Sequence, residues 1–185
     1  MTKFNGQDSS RSLRLSSRGR ASEVGYFVTV CVKGRRCVLG SVVKGSVRLT
    51  PPGSAVERAW RNIPERFPQV SLDEYVVMPE RVHGIIVIGR RAGFAGIVED
   101  TPRINGGLKV IRRMSAVSPE AGLLRVIVDS FKSVSGKTVR RAFDPSFAWE
   151  PEDDELAIRD ESDLACAREY IFNDPLQWGA DEMNT

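Results

Sequence analysis

Apolar positions along the chain fall into short blocks whose spacing alternates between the strand period of two and the helical period of about 3.6. Residues 25–32 are β-branched and aromatic and read as a strand, followed by the basic turn Lys33-Gly34-Arg35-Arg36. Residues 38–43 and 47–49 read as short extended pieces around Gly45. Pro51-Pro52-Gly53-Ser54 then punctuates the chain. Ser54 is the expected cap of a helix over 55–66, in which Val56, Ala59, Trp60 and Ile63 share one face. Residues 70–79 and 82–88 read as two strands joined at Pro79-Glu80-Arg81. The run Gly84-Ile85-Ile86-Val87-Ile88 is apolar on both faces and predicts a central strand.

Residues 90–119 contain glycines and a basic pair and read as a long loop. Ser118-Pro119-Glu120 has the form of a helix start, so a long helix is expected over 120–141, bent at Gly136. Residues 143–155 are irregular and turn acidic, and 156–159 read as a short strand. Asp160 or Ser162 caps a last helix, expected to end near Asn173 because Pro175 follows. Strand, helix, two strands, helix, strand, helix is an α+β order. It predicts a sandwich, ferredoxin-like or palm-like, with a mainly antiparallel sheet and helices packed on one face. The expected organisation is a flexible basic arm over 1–24, one domain over 25–178 and a short tail over 179–185.

Composition changes this picture in one respect. Net charge is only +3, but residues 146–185 hold 2 of the 27 basic and 12 of the 24 acidic residues, so the remainder carries a balance of +13. Such a body favours a polyanionic partner, nucleic acid first, although an ordinary soluble surface with an acidic tail fits the charge equally well. No apolar run approaches the length of a membrane span, and the polar, basic first twenty residues lack the apolar core of a secretory signal. Cys31, Cys37 and Cys166 have no metal-ligand spacing and fit reduced thiols in a cytoplasm.

Residues 73–87, Asp-Glu-Tyr-Val-Val-Met-Pro-Glu-Arg-Val-His-Gly-Ile-Ile-Val, are the most specific stretch. Other landmarks stand in order around it. These are Ser12-Leu13-Arg14-Leu15, Tyr26-Phe27-Val28-Thr29-Val30, Ser130-Phe131-Lys132-Ser133, Trp149, Ile158-Arg159, and the block from Arg168-Glu169-Tyr170 through Pro175-Leu176-Gln177-Trp178. Over about residues 12–178 the chain resembles the REP-associated tyrosine transposases and the wider single-tyrosine transposase family. Their corresponding block runs Met-Pro-Asn, then His-hydrophobic-His-Gly and an apolar strand. The resemblance implies a protein that binds a DNA hairpin and its single-stranded flank, as monomer or homodimer. It implies that a tyrosine cuts one strand through a 5′-phosphotyrosine link, assisted by a divalent cation, magnesium or manganese. A cytoplasmic, nucleoid-associated protein is expected.

On that resemblance Tyr170 is the nucleophile; a phenolate can attack phosphorus and later leave, which allows rejoining. The plainer reading is a core tyrosine of an amphipathic helix. His83, the only histidine, stands at one metal-ligand position, and the alternative is a hydrogen-bonded histidine at a strand end. Arg81 replaces the second ligand histidine two residues away, hence on the same face of the strand. A guanidinium has no lone pair to offer a metal, but it bonds phosphate well. Asp174, one helical turn after Tyr170, is a hard oxygen donor where the family often has an amide, so His83 with Asp174 is the candidate ligand set for a weakened cation site. Arg112, Arg113, Arg125, Lys132, Lys137, Arg140 and Arg141, with Arg81, are the candidate phosphate-binding residues, against the solvated face of an amphipathic helix as the simpler account.

Two further departures from the pattern stand out: Glu80 replaces the asparagine of Met-Pro-Asn, and 150–155 is an acidic run where the family has glutamine, aromatics and histidine. Three readings follow. One is a transposase-type enzyme using Tyr170, with competence in question at Arg81. The second is a DNA-binding protein on the same fold that has lost cleavage. The third, a metal-dependent hydrolase built from Asp73, Glu74, His83 and Asp174, has the least support.

Overall fold

Strand β1 (Glu23–Cys31) lies at the centre of the sheet, because its small β-branched residues are buried along nearly their whole length. Residues 23–89 and 119–181 are the ones described by this computed structural model. On one side β1 pairs antiparallel with β5 (Arg81–Gly89), from Glu23 opposite Gly89 to Cys31 opposite Arg81. On the other it pairs antiparallel with the edge strand β6 (Asp154–Ile158). Strand β4 (Val70–Val77) adds to β5, giving the order β4-β5-β1-β6. A separate hairpin, β2 (Gly40–Val43) and β3 (Ser46–Leu49), turns at Lys44-Gly45, both in left-handed backbone conformation.

Helix α1 (Pro51–Arg61) begins four residues before the expected start, with Thr50 rather than Ser54 as its cap: the Gly53 N–H donates to Thr50 Oγ1 at 3.2 Å. Pro51 and Pro52 open the helix, where a missing N–H costs nothing. The single helix expected over 55–66 is divided at Asn62. Pro64 cannot donate to the previous turn, so the chain restarts as the short α2 (Ile63–Arg66). Helix α3 (Pro119–Ala142) matches the predicted long helix and continues through Gly136. Helix α4 (Glu161–Asp181) is capped by Asp160, whose Oδ1 accepts from Asp163 N–H at 2.9 Å.

The expected stop of α4 at Asn173 is wrong, because the helix runs on through Pro175. An interior proline costs roughly 3 kcal/mol. The turn beyond it is held by tertiary contacts: Leu176 packs against Gly45 of the hairpin, and Trp178 against Arg81.

The expectation of an α+β fold with a mainly antiparallel sheet agrees with the structure, but the helices cover both faces rather than one. Val82, Ile86 and Ile88 of β5 pack with Val56 and Trp60 of α1 and Leu124, Ile127 and Phe131 of α3. Their neighbours Ile85 and Val87 pack on the opposite face with Ile158, Leu164 and Ile171, the last two from α4. The physical reason lies in β5 itself. A strand apolar on both faces needs cover on both, and burying each aliphatic side chain contributes about 1.5–3 kcal/mol.

Gly84 has a steric role in this arrangement. A Cβ there would overlap the Trp60 ring and stand 2.9 Å from Tyr75 Cβ. The glycine after His83 therefore lets α1 close onto the sheet. Among the described residues no helix is long and apolar enough to cross a membrane. Residues 1–22 of the expected arm, whose last two residues belong to β1, the 90–118 segment with Arg112 and Arg113, and the Ser118 helix start lie outside the described residues.

Candidate active site

The odd-numbered residues at the start of β5 point to the α4 face, which brings Arg81 and His83 under that helix. Helix α4 is tied down from the far side. The β4–β5 register slips by one residue between Leu72 and Tyr75, and this bulge contains Asp73. Asp73 accepts two bonds from Arg168 of α4, Nε at 2.8 Å and Nη2 at 2.6 Å. Burial tends to raise the Asp73 pKa, but the bonds from Arg168 and from Glu74 N–H outweigh it and hold the carboxyl below its usual range. Asp73 is thus a positioning group for α4, already paired. The hydrolase reading that counted it as a metal ligand loses that donor.

His83 is 3% exposed. Its Nε2 lies 2.8 Å from Arg81 Nε and its Nδ1 2.8 Å from Thr29 Oγ1, its partner residue on β1. An arginine N–H can only donate, so Nε2 accepts. The imidazole proton therefore sits on Nδ1 and is donated to Thr29. Burial, then the positive charges of Arg81 and Arg35, push the His83 pKa down to about 3, so the ring is neutral. Phe27 stacks on it at 5.5 Å and 18°, and Tyr170 meets it edge-on at 5.4 Å.

Arg81 is held from several directions. Besides its bond to His83, Nη2 donates to Asp174 Oδ1 at 2.8 Å and Nη1 to Glu80 Oε1 at 3.1 Å. The Trp178 ring lies 5.1 Å from the guanidinium carbon, within cation–π range. Burial opposes the charge, but the bond and charge of Asp174, with the charge of Glu80, hold the Arg81 pKa above its ordinary value. These bonds use three of the five guanidinium N–H groups. Glu80 also takes Arg35 at 3.3 Å.

Asp174 is 6% exposed, and its Oδ2 has no hydrogen-bond partner although it stands 3.6 Å from His83 Nε2. Tyr170, one turn earlier on α4, is 48% exposed, with its ring edge-on to Phe27 as well. The structure therefore brings together four of the residues singled out in the sequence: Arg81, His83, Tyr170 and Asp174.

The arrangement does not fit a divalent cation. The His83 Nε2 lone pair, the one a metal would take, already accepts from Arg81, and so does one Asp174 oxygen. A doubly charged ion about 4 Å from the guanidinium would meet a repulsion on the order of 8 kcal/mol at an effective dielectric of 20. Among the described residues no group of three His, Cys, Asp or Glu is placed to hold a metal.

The other basic candidates are not gathered at this site. Arg125, Lys132, Lys137, Arg140 and Arg141 all lie on α3, across the sheet from Tyr170. Lys132 is committed to Asp153, at 2.9 and 3.0 Å, and to the Pro151 carbonyl at 3.3 Å. Arg140 donates to the Phe147 carbonyl, while Lys137 and Arg141 are exposed. The acidic run divides by strand alternation. Asp154 pairs with Thr29 and shares the His83 face, whereas Asp153 meets α3 through Lys132. Thr29, Phe27, Arg35 and Trp178 were missed as site residues, because nothing local in the sequence signals a cross-strand or cross-helix partner.

No family model matches the chain. A structure of the REP-associated tyrosine transposase bound to a REP hairpin is similar over 89% of this chain and 73% of that one, at 20% identity and a TM-score of 0.50. A structure from Deinococcus radiodurans R1, described as a candidate transposase, is similar over 85% and 95%, at 18% identity and a TM-score of 0.47. The fold is that of the tyrosine transposases, as the motifs led one to expect. An uncharacterised protein of Haemophilus influenzae is 32% identical over 187 residues, 98% of this chain and 97% of that protein, and the chain belongs to its family.

Proposed function

We propose that this protein engages a DNA hairpin and its single-stranded flank at the face carrying Arg81 and Tyr170, and that Tyr170 cuts and rejoins the strand. The observation that carries this reading is the placement of Tyr170. Its ring is half-exposed and packs edge-on against the stacked Phe27 and His83 rings, on a helix anchored by Asp73–Arg168. In the proposed step the phenolic oxygen bonds to phosphorus as the bond from phosphorus to the 3′ oxygen breaks. The phenol gives up its proton and the departing 3′ hydroxyl gains one. The two uncommitted N–H groups of Arg81 suit a phosphate oxygen at that centre.

A basic strip supports the DNA assignment. Arg35 and Lys33 stand on the exposed turn after β1, Arg36 beside them, and Arg35 reaches Glu80 next to Arg81. Arg36 bonds Asp144 and Ser146, which links the turn to the end of α3 with Lys137, Arg140 and Arg141. A strip of this kind binds the phosphate backbone through counterion release.

The second reading is a DNA-binding protein on this fold without strand cleavage. It is favoured by one observation, the loss of the His83 lone pair to Arg81. Incubation with a hairpin oligonucleotide carrying a single-stranded tail, resolved on a denaturing gel, separates the two. A covalent adduct that disappears in Tyr170→Phe is the outcome expected of the first reading. Salt-dependent binding with no adduct under any condition would establish the second, and no binding at all would remove both.

A further inference from the structure

We propose that Arg81 is a built-in cation: its guanidinium takes the place between His83 and Asp174 where a divalent ion would sit, so that this site excludes magnesium and manganese and offers a phosphodiester a fixed organic positive charge instead. The exclusion stands independently of the DNA reading; the phosphate role deepens that reading and rests on it.

Three features carry the argument. The guanidinium meets both candidate ligands at 2.8 Å, through Nε to His83 Nε2 and Nη2 to Asp174 Oδ1, so it lies within the ligand set. It is also fixed there. Glu80 holds Nη1, Trp178 covers the planar group and Thr29 fixes the imidazole from behind, so swinging Arg81 aside to admit an ion would break contacts on four residues. Finally, the local charge is already balanced. Asp174 and Glu80 face Arg81 and Arg35, so both carboxylates that touch the guanidinium are already paired with cations. The buried Asp174 Oδ2 is unpartnered, but a single open oxygen beside a guanidinium is a poor site for a divalent ion, which the adjacent positive charge repels. Unlike a metal, Arg81 keeps its charge and position across the accessible pH range and in the presence of a chelator.

The full-length protein is titrated with Mn²⁺ and bound ion is counted by electron paramagnetic resonance. Binding of a fluorescent hairpin oligonucleotide with a single-stranded tail is measured in parallel, in Mn²⁺ and in EDTA. The wild type should take up no Mn²⁺ at this site through the millimolar range, and its DNA affinity should be the same in EDTA. Arg81→Ala and Arg81→His should each gain a Mn²⁺ site that is lost again on adding Asp174→Ala. Wild-type Mn²⁺ binding that disappears in Asp174→Ala would overturn the proposal, and so would a fall in wild-type DNA affinity on chelation. Because the wild-type titration decides the matter alone, failure of a variant to fold does not shield it. Exclusion of Mn²⁺ by a protein that also fails to bind the oligonucleotide would support the exclusion and remove the proposed function.

Discussion

Replacing Arg81 by methionine keeps the aliphatic stem and removes only the charged head, which isolates what the guanidinium contributes. In the native protein that head satisfies one oxygen of Asp174, a carboxylate 6% exposed whose other oxygen already lacks a partner. It also occupies the Nε2 lone pair of a histidine 3% exposed. Arg81→Met leaves a buried carboxylate with no bond and a buried acceptor with no donor. Removing one member of a buried pair costs roughly 3–5 kcal/mol. The Arg81 side chain retains 16% exposure, which admits some water and favours the low end, about 3 kcal/mol. For a chain of this size that corresponds to a fall in melting temperature of roughly 6–12 °C.

The same reasoning fixes the behaviour of the pair. Asp174→Asn in the Arg81→Met background removes the stranded charge, so the double variant should regain roughly 2 kcal/mol of the loss. The assay is thermal unfolding followed by circular dichroism, in EDTA, so that no ion can fill the vacated position and mask the effect. An Arg81→Met protein that melts within about 1 °C of the wild type would refute the reasoning, as would two substitutions that simply add to within about 0.5 kcal/mol.

Other consequences are open to similar measurement. The folded His83 pKa of about 3 lies below its ordinary 6.5, so the unfolded chain takes up the extra proton first as pH falls. Stability from this group is intact above about pH 6.5 and is lost towards pH 3, amounting to roughly 2–3 kcal/mol at about pH 4.5; His83→Gln should flatten that slope, and an unchanged slope would contradict the assignment. Gly84→Ala should destabilise the fold by about 1–3 kcal/mol, since its methyl group overlaps Trp60, and a neutral result in denaturant titration would mean that α1 moves freely. Asp73→Ala should loosen α4 by roughly 3 kcal/mol and raise hydrogen exchange across residues 161–178 more than in β1; uniform change would argue against a local anchor. Tyr170→Phe should leave the melting temperature within about 1–2 °C of wild type, because the tyrosine is half-exposed. A large loss there would make Tyr170 structural.

Much of the framework was legible in the chain because it depends on local alternation and spacing. The two-sided apolar run of β5 marked a central strand, the β-branched block marked β1 as a strand, and the helix start Ser118-Pro119-Glu120 marked α3. The shared face of Arg81 and His83, and the nearness of Tyr170 to Asp174, were also visible, since two residues on a strand or four on a helix share a face whatever the fold. The sequence did not show that helices cover both faces of the sheet, that α4 passes through Pro175, or that Lys132 is spent on Asp153. Each depends on partners distant in sequence, and local rules carry no information about those. Arg81 shows the division most clearly. The sequence alone showed that a guanidinium stands two residues before the only histidine, on the same strand face. Only the folding of α4 over β5 decided that it bonds His83 and Asp174 at once, drawing three residues from a strand and a helix into one hydrogen-bonded cluster.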